Sequence, residues 1–264
     1  MADEPRKPRV AVHKFSSCDG CQLAFLNLGA DLVRLAQRVD IVHFAEAGPV
    51  APDADVDICF VEGSIAHPGD IDRIRRIRER CRFLVAIGAC ATSGGVQALR
   101  NVARSEAWLA AVYATPAYIE ELVDATPIGA HVKVDLELWG CPVTSRQVLT
   151  AIGTLLNGAS PRDEADKVCL ECKRRQTVCT LVTRGVPCLG PVTRTGCGAL
   201  CPSFGRDCYG CFGPAENPNV AALGRRFAGL GLLPEAIAQR FEGISNAAPE
   251  FRRAAQAFRG KAHE

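Results

Sequence analysis

Fourteen of the 264 residues are cysteine, against five histidines and one methionine, so any chemistry in this chain is thiol chemistry. Ser16-Ser17-Cys18-Asp19-Gly20-Cys21 puts two thiols three apart in a glycine-containing loop, close enough to bind one metal centre together. Cys90 stands in AIGACATSGG and Cys141 in ELWGCPVTS. Eight more crowd the segments VCLECKRRQTVC, PCLGPVTRTGCGALCP and RDCYGCFGP: Cys169, Cys172, Cys179, Cys188, Cys197, Cys201, Cys208 and Cys211. A chain of this length needs no covalent staples, so the thiols are expected to bind metal or do redox chemistry in a reducing compartment. No apolar run reaches the roughly 18 residues that span a bilayer, and the N-terminus shows no apolar signal stretch, which makes the cytoplasm the expected location. With 31 basic and 29 acidic side chains the net charge is +2, which offers no electrostatic case for nucleic acid or an acidic membrane.

The elements that must position these thiols alternate. Strands are expected at Arg9 to Phe15, Asp40 to Phe44, Val56 to Gly63, Arg82 to Gly88 and Val132 to Trp139. Helical spacing of apolar residues fills Gln22 to Arg38, Asp70 to Arg80, Gly95 to Ala111 and Thr144 to Asn157. This alternation is the signature of an α/β domain over residues 1–158 with a doubly wound parallel sheet. Residues 159–264 form a smaller part: an irregular cysteine-rich stretch without period, whose order would come from bound metal, then C-terminal helices from Asn217 to Gly260.

In a doubly wound sheet ligands gather outside the carboxyl ends of the strands, where the loops bearing Cys18 and Cys21, Cys90, and Cys141 would converge. Those four complete one 4Fe-4S cluster or one zinc site. The other eight divide into two further sets of four. Three tetrathiolate sites favour an electron-transfer chain, because successive redox centres have a use and three inert zincs have little. Cys59, inside VDICFVEG, reads as a strand core residue, and Cys81 as a packing thiol. His13, His43, His67 and His131 have no partners at ligand spacing.

From about Val10 to Asn219 the chain resembles the small subunit of nickel-iron hydrogenases. The resemblance rests on a CxGCQ loop at Cys18 to Gln22, a GxCAxxGG loop at Gly88 to Gly95, a GCP loop at Gly140 to Pro142, and a CxGPx5C signature from Cys188 to Cys197. It implies a flavodoxin-like domain followed by an iron-sulfur domain. It implies a proximal 4Fe-4S cluster on Cys18, Cys21, Cys90 and Cys141, facing a nickel-iron centre in a separate large subunit. The same alignment implies a distal cluster on Cys169, Cys172, Cys179 and Cys188 and a medial one on Cys197, Cys201, Cys208 and Cys211. No catalytic residue is implied in this chain itself.

Two positions depart from the periplasmic members of that family: Cys169 replaces a histidine ligand and Cys201 a proline. Thiolate in place of imidazole adds negative charge and lowers a cluster's potential, and a fourth thiolate completes a cubane. Low potential suits an acceptor such as NAD(P), and the phrases VCLEC, PCLGPVTRTGCGALCP and CYGCFGP look most like the cytoplasmic NAD(P)-linked bidirectional type, or sulfhydrogenase, whose partners would be the large subunit and a flavin-bearing diaphorase that reduces NAD(P). The same phrases suit subunits serving coenzyme F420, ferredoxin or heterodisulfide reductase. Three rivals remain open on residues alone: a zinc scaffold, a respiratory complex I-like cluster subunit, and a flavin-binding flavodoxin. The last has cysteines where a phosphate cradle is needed.

Overall fold

The computed structural model describes residues 6–102, 105–162 and 164–260, and the side chains of Ser105 and Glu106 are not described. In chain order the elements are β1 (Arg9–Lys14), α1 (Gly20–Leu26), α2 (Ala30–Arg38), β2 (Asp40–Phe44), β3 (Val56–Glu62), α3 (Pro68–Glu79), β4 (Cys81–Ile87), α4 (Gly88–Ser93), α5 (Ser105–Val112), β5 (Leu136–Leu138) and α6 (Ser145–Leu156). The five strands form one parallel sheet ordered β2-β1-β3-β4-β5. Its register sets Val10 beside Ile58 and Ile58 beside Phe83.

Because side chains alternate along a strand, each strand serves two cores. Val10, Val12, Ile58, Phe60, Val85 and Ile87 pack with Phe25 of α1, Leu35 of α2 and Ile152 of α6. Ala11, Cys59, Val61, Leu84 and Ala86 pack with Ile74 and Ile77 of α3. The near-continuous apolar strands are what a parallel sheet covered on both faces demands. Residues 168–259 add α7 (Val168–Arg174), α8 (Thr180–Thr183), α9 (Leu200–Ser203), α10 (Val220–Ala228), α11 (Pro234–Phe241) and α12 (Pro249–Arg259). Phe227, Phe241, Phe251 and Phe258 from the last three helices close over Leu189, Val192 and Trp139, so the cysteine-rich segment is held by a core of its own.

Four expectations need correction. The single helix from Gln22 to Arg38 is two, because Gly29 at φ +56° turns the chain between α1 and α2. The helix from Gly95 to Ala111 is a 3-10 segment at Gly95–Asn101 followed by α5; Ala103 and Arg104 lie outside the described residues. The fifth strand is shorter than Val132 to Trp139, pairing with β4 only over Leu136–Leu138. The cysteine-rich stretch contains three short helices, tied in by isolated bridges from Lys167 to Arg194 and from Thr193 to Pro214.

The structure also gives His13 and His43 a partnership that sequence spacing concealed. Neighbouring strands β1 and β2 stack the two rings at a centroid distance of 4.4 Å. Burial, then the charges of His43 and Arg73, pushes the His13 pKa down to about 3. A depressed histidine pKa means the fold holds the neutral ring, so this contribution is present above the unfolded value of 6.5 and is lost as pH falls from there towards 3. Anaerobic urea unfolding should therefore show about 2 kcal/mol less stability at about pH 5 than at pH 7 from this site. His13→Phe should flatten that part of the profile, and an unchanged slope would show that the pair is not its source.

Candidate metal centres

The first thiol group sits where β1, β4 and β5 end. β1 runs into the loop that carries Cys18, and Asp19, left-handed at φ 65°, starts α1 with Cys21 in its first turn. β4 passes directly into α4, which carries Cys90, and the chain after β5 turns through the cis Cys141-Pro142 bond. Ala89 N–H donates to Gly140 O at 2.7 Å and locks these two loops together. The fit around the sulfurs is close. A Cβ on Gly88 would stand 2.3 Å from Cys21 Sγ, and one on Gly95 would stand 2.6 Å from Cys90 Sγ.

Electrostatics report the same convergence. Burial, then the charges of Cys141, Cys18 and Glu62, pushes the Cys90 pKa up to about 12. Burial, then Cys18 and Glu62, raises that of Cys141. Cys21 is raised by burial and then Glu62, with smaller contributions from Cys90 and Cys141. All four cysteines expected at this site are therefore neighbours.

Glu62, at the end of β3, belongs to none of the cysteine motifs. It is 1% exposed and its two carboxylate oxygens accept the N–H groups of Cys21 and Gln22 at 3.2 and 3.1 Å. Burial pushes its pKa up, against those two hydrogen bonds. The signal available was an acidic residue closing the apolar run VDICFVEG, a buried charge in need of donors.

A second group lies on α7 and the turns that follow. Cys169 and Cys172 share a helix face at i, i+3, Cys179 precedes α8, and Cys188 leads into Gly190-Pro191. Burial, then Cys172, Cys188 and Cys179, pushes the Cys169 pKa up to about 11. A Cβ on Gly190 would meet Cys188 Sγ at 3.4 Å and Cys169 Sγ at 3.7 Å.

The third group joins Cys197, Cys201 and Cys211: burial, then Cys197, Cys141 and Cys201, pushes the Cys211 pKa up to about 12. Glu171, between two cysteines of the second group, accepts Gly196 N–H and Ala199 N–H at 3.0 Å each and the Cys197 thiol at 3.8 Å. Cys208 stands between groups. Its N–H donates to Cys188 Sγ at 3.2 Å, and its thiol is raised by burial and then, after an opposing Gly210 N–H, by Cys188 and Cys211. The groups adjoin one another. Cys141 of the first acts on Cys211 of the third, and Cys208 beside Cys211 touches Cys188 of the second.

Cys59 and Cys81 lie apart from all three groups. Both are buried in the core under α3, where the Cys59 thiol donates to the Phe60 carbonyl at 3.9 Å and the Cys81 thiol to that of Arg78 at 3.7 Å; burial raises the Cys59 pKa. Their reading as core thiols matches this placement.

The donor set fits iron-sulfur clusters. It is all sulfur, it is grouped, and deprotonating one thiol in each pocket is opposed by burial and by its neighbours, a cost that only a cationic centre among them removes. Glycines stand where a Cβ would crowd the sulfurs. A mononuclear tetrahedral zinc site, with Zn–S of about 2.3 Å, would draw its sulfurs to about 3.8 Å from one another. Among the described residues no three His, Cys, Asp or Glu side chains are grouped for one ion.

Comparison with known proteins follows the same outline. A family profile described as NADH ubiquinone oxidoreductase, 20 Kd subunit, matches residues 18–155, which include Cys18, Cys21, Cys90 and Cys141. The chain is 33% identical over 215 residues to sulfhydrogenase 2 subunit delta of Pyrococcus furiosus, covering 81% of this chain and 90% of that one. It is 33% identical over 239 residues to a subunit of the F420-non-reducing hydrogenase vhu of Methanocaldococcus jannaschii, covering 79% and 82%. Among solved structures, a chain of an NAD+-reducing NiFe-hydrogenase in the H2-reduced state superposes with a TM-score of 0.55 at 30% identity. That match takes in 60% of this chain and 95% of the other, so the rest of this chain has little counterpart there.

Proposed function

The chain belongs to the NADH ubiquinone oxidoreductase 20 kDa subunit family as a small subunit of nickel-iron hydrogenases, and from that premise we propose that twelve of its fourteen thiols hold three 4Fe-4S clusters in series. Such subunits are oxidoreductase components that act on H2 within complexes, beside a large subunit that carries the nickel-iron centre. The proximal ligands are Cys18, Cys21, Cys90 and Cys141; the medial ones Cys197, Cys201, Cys208 and Cys211; the distal ones Cys169, Cys172, Cys179 and Cys188. The observation that carries this reading is that Cys208 N–H donates to Cys188 Sγ at 3.2 Å while Cys141 is near enough to Cys211 for its charge to raise that thiol's pKa.

When bound, each cluster supplies the uptake and release of single electrons. The protein's own residues bind, orient and insulate. Glu62 clamps the first turn of α1, which keeps Cys21 facing Cys90 and Cys141. Glu171 fixes the loop from Gly196 to Ala199 and with it Cys197. Burial of Cys21, Cys90, Cys188 and Cys208 keeps water from the path, while Cys18 at one end and Cys179 at the other are exposed. Cys179 is flanked by Val178 and Val182, 68% and 75% exposed, an apolar rim suited to a docking partner. The Cys18 end meets the large subunit. No residue here is assigned as acid, base or nucleophile.

The acceptor in this reading is NAD(P), reached through a flavin-bearing diaphorase; thiolates at Cys169 and Cys201 support it by pitching the path to low potential. A second reading is delivery to ferredoxin or a heterodisulfide reductase: the relative named F420-non-reducing, which aligns over 79% of this chain where the NAD+-reducing structure aligns over 60%, favours an acceptor other than coenzyme F420, while a relative named coenzyme F420 hydrogenase subunit gamma aligns over 57%. Among the described residues no helix is long and apolar enough to cross a membrane. A chain this rich in cysteine and long enough to need no staples suits the reducing cytoplasm.

The test is iron, acid-labile sulfide, zinc and nickel per chain on the anaerobically purified native complex, with electron paramagnetic resonance after dithionite reduction. After subtraction of what partner subunits carry, about twelve iron and about twelve sulfide per copy are expected from three cubanes, each held by four cysteines. Stoichiometric zinc with little iron overturns the relay. H2-driven reduction of NAD, NADP and coenzyme F420 by the same preparation separates the acceptors.

A further inference from the structure

The sheet face under α3 carries a second polar site, remote in chemistry from the thiols. His13, 3% exposed, lines a cavity of about 260 Å³ bounded by α3 and by Pro52 and Asp53 of the loop before β3. Behind it lies His43, and neither imidazole has a hydrogen-bond partner at Nδ1. From α3, Arg73, Arg76 and Arg80 line the same cavity. They stand at i, i+3 and i+7, one stripe of the helix, where like charges repel. Arg73 is the deepest of the three: burial, and Arg76 beside it, lower its pKa against the pull of Asp70.

The compensating charges are engaged elsewhere. Asp70 accepts the N–H groups of Ala66 and His67 at 3.2 and 3.0 Å. Arg80 is held by the carbonyl of Asp53 at 2.7 Å and by Asp55 at 3.6 Å. Arg73 lies over the Phe15 ring at 4.4 Å, and among the described residues neither Arg73 nor Arg76 has a carboxylate within ion-pair distance. The cavity therefore offers two unneutralised guanidinium groups, a third partly engaged, and a buried imidazole, against the single side-chain carboxylate of Asp53 that also lines it.

We infer that this cavity is an oxyanion site that takes a phosphate group, free or as a small monoester, between Arg73 and Arg76 with His13 as its floor. Guanidinium forks match phosphate oxygens in a bidentate manner that lysine could not reproduce. The volume lies just below the roughly 300 Å³ at which drug-sized pockets begin, which suits phosphate with a few further atoms and excludes a dinucleotide. Nothing in the site depends on the iron-sulfur reading, and its test needs no H2.

Inorganic phosphate titrated calorimetrically into the native complex, at constant ionic strength in chloride, should bind saturably at one site per copy of this chain. Arg73→Gln and Arg76→Gln should each weaken binding by at least about tenfold, the loss of one charge-assisted pair. Arg225→Gln, on the exposed side of α10, should leave it unchanged. Arg76 is exposed on α3, so its variant keeps the fold if the half-buried Arg73 does not tolerate change. Glycerol 2-phosphate binding more tightly than phosphate would support the ester form, and equal binding the free anion. No saturable phosphate binding, or binding that survives both substitutions, overturns the site.

Discussion

Cys90→Ser in the native complex should remove about four of about twelve iron atoms per chain, the content of one cubane held by four cysteines, and leave the rest. H2-dependent reduction of any acceptor should fall by at least about a hundredfold, beyond the 10–100-fold typical of losing a residue that only hydrogen-bonds to a metal ligand. The size of the effect follows from position. Cys90 is buried at the carboxyl end of β4, where Cys18 and Cys141 raise its pKa, and in the proposed relay its group stands first on the path from the partner's metal. Cys59→Ser and Cys81→Ser change thiols of the same chain under α3 and should leave iron content and turnover as they are. Full iron in Cys90→Ser, or iron loss in Cys59→Ser, would mean that the thiols are grouped otherwise.

Gly88→Ala is the second substitution with a large expected consequence, and it touches no ligand. Gly88 combines φ +84° with a position where a Cβ would lie 2.3 Å from Cys21 Sγ, so alanine must displace the sulfur or unwind the start of α4. Either outcome separates Cys21 from Cys90, and the loss of about four iron per chain is expected, as for a deleted ligand. Gly29→Ala separates strain from collision. Its φ is +56° and its ψ −119°, outside the left-handed helical region, nothing lies within 4 Å of a Cβ there, and only a backbone strain of about 1–3 kcal/mol applies. Gly29→Ala should lower the unfolding midpoint and keep all its iron. If Gly88→Ala did likewise, the room at Gly88 would have no bearing on metal binding.

Much of this protein is local and so can be read from the chain itself. Thiols at i, i+3, as in Cys18 and Cys21, or Cys169 and Cys172, meet within one turn whatever surrounds them. The apolar runs of β3 and β4 fit a sheet covered on both faces wherever they pair. Placing Cys90 and Cys141 with Cys18 needed only the rule that loops at the carboxyl ends of parallel strands share one edge. The sequence alone therefore determined the α/β class and the placing of Cys18, Cys21, Cys90 and Cys141 at one edge of the sheet, with Cys59 and Cys81 in the core away from it.

Tertiary structure decided what depends on register and packing across long separations. Glu62 reaches the N–H of Cys21 across 41 positions, because β3 lies beside β1 and ends level with the turn into α1. His13 and His43 stack because the β1–β2 pairing brings them side by side, and no spacing along the chain encodes a contact between separate strands. The break at Gly29 is a choice of backbone angle that helical periodicity cannot register. The approach of Cys141 to Cys211 and of Cys208 to Cys188 exists only once the core of Phe227, Phe241 and Phe251 has drawn the cysteine-rich segment against the end of β5 through Trp139. Ligand identity is a property of side chains and can be read from them; sequence in space is a property of packing, which the free energy of many weak contacts sets at once.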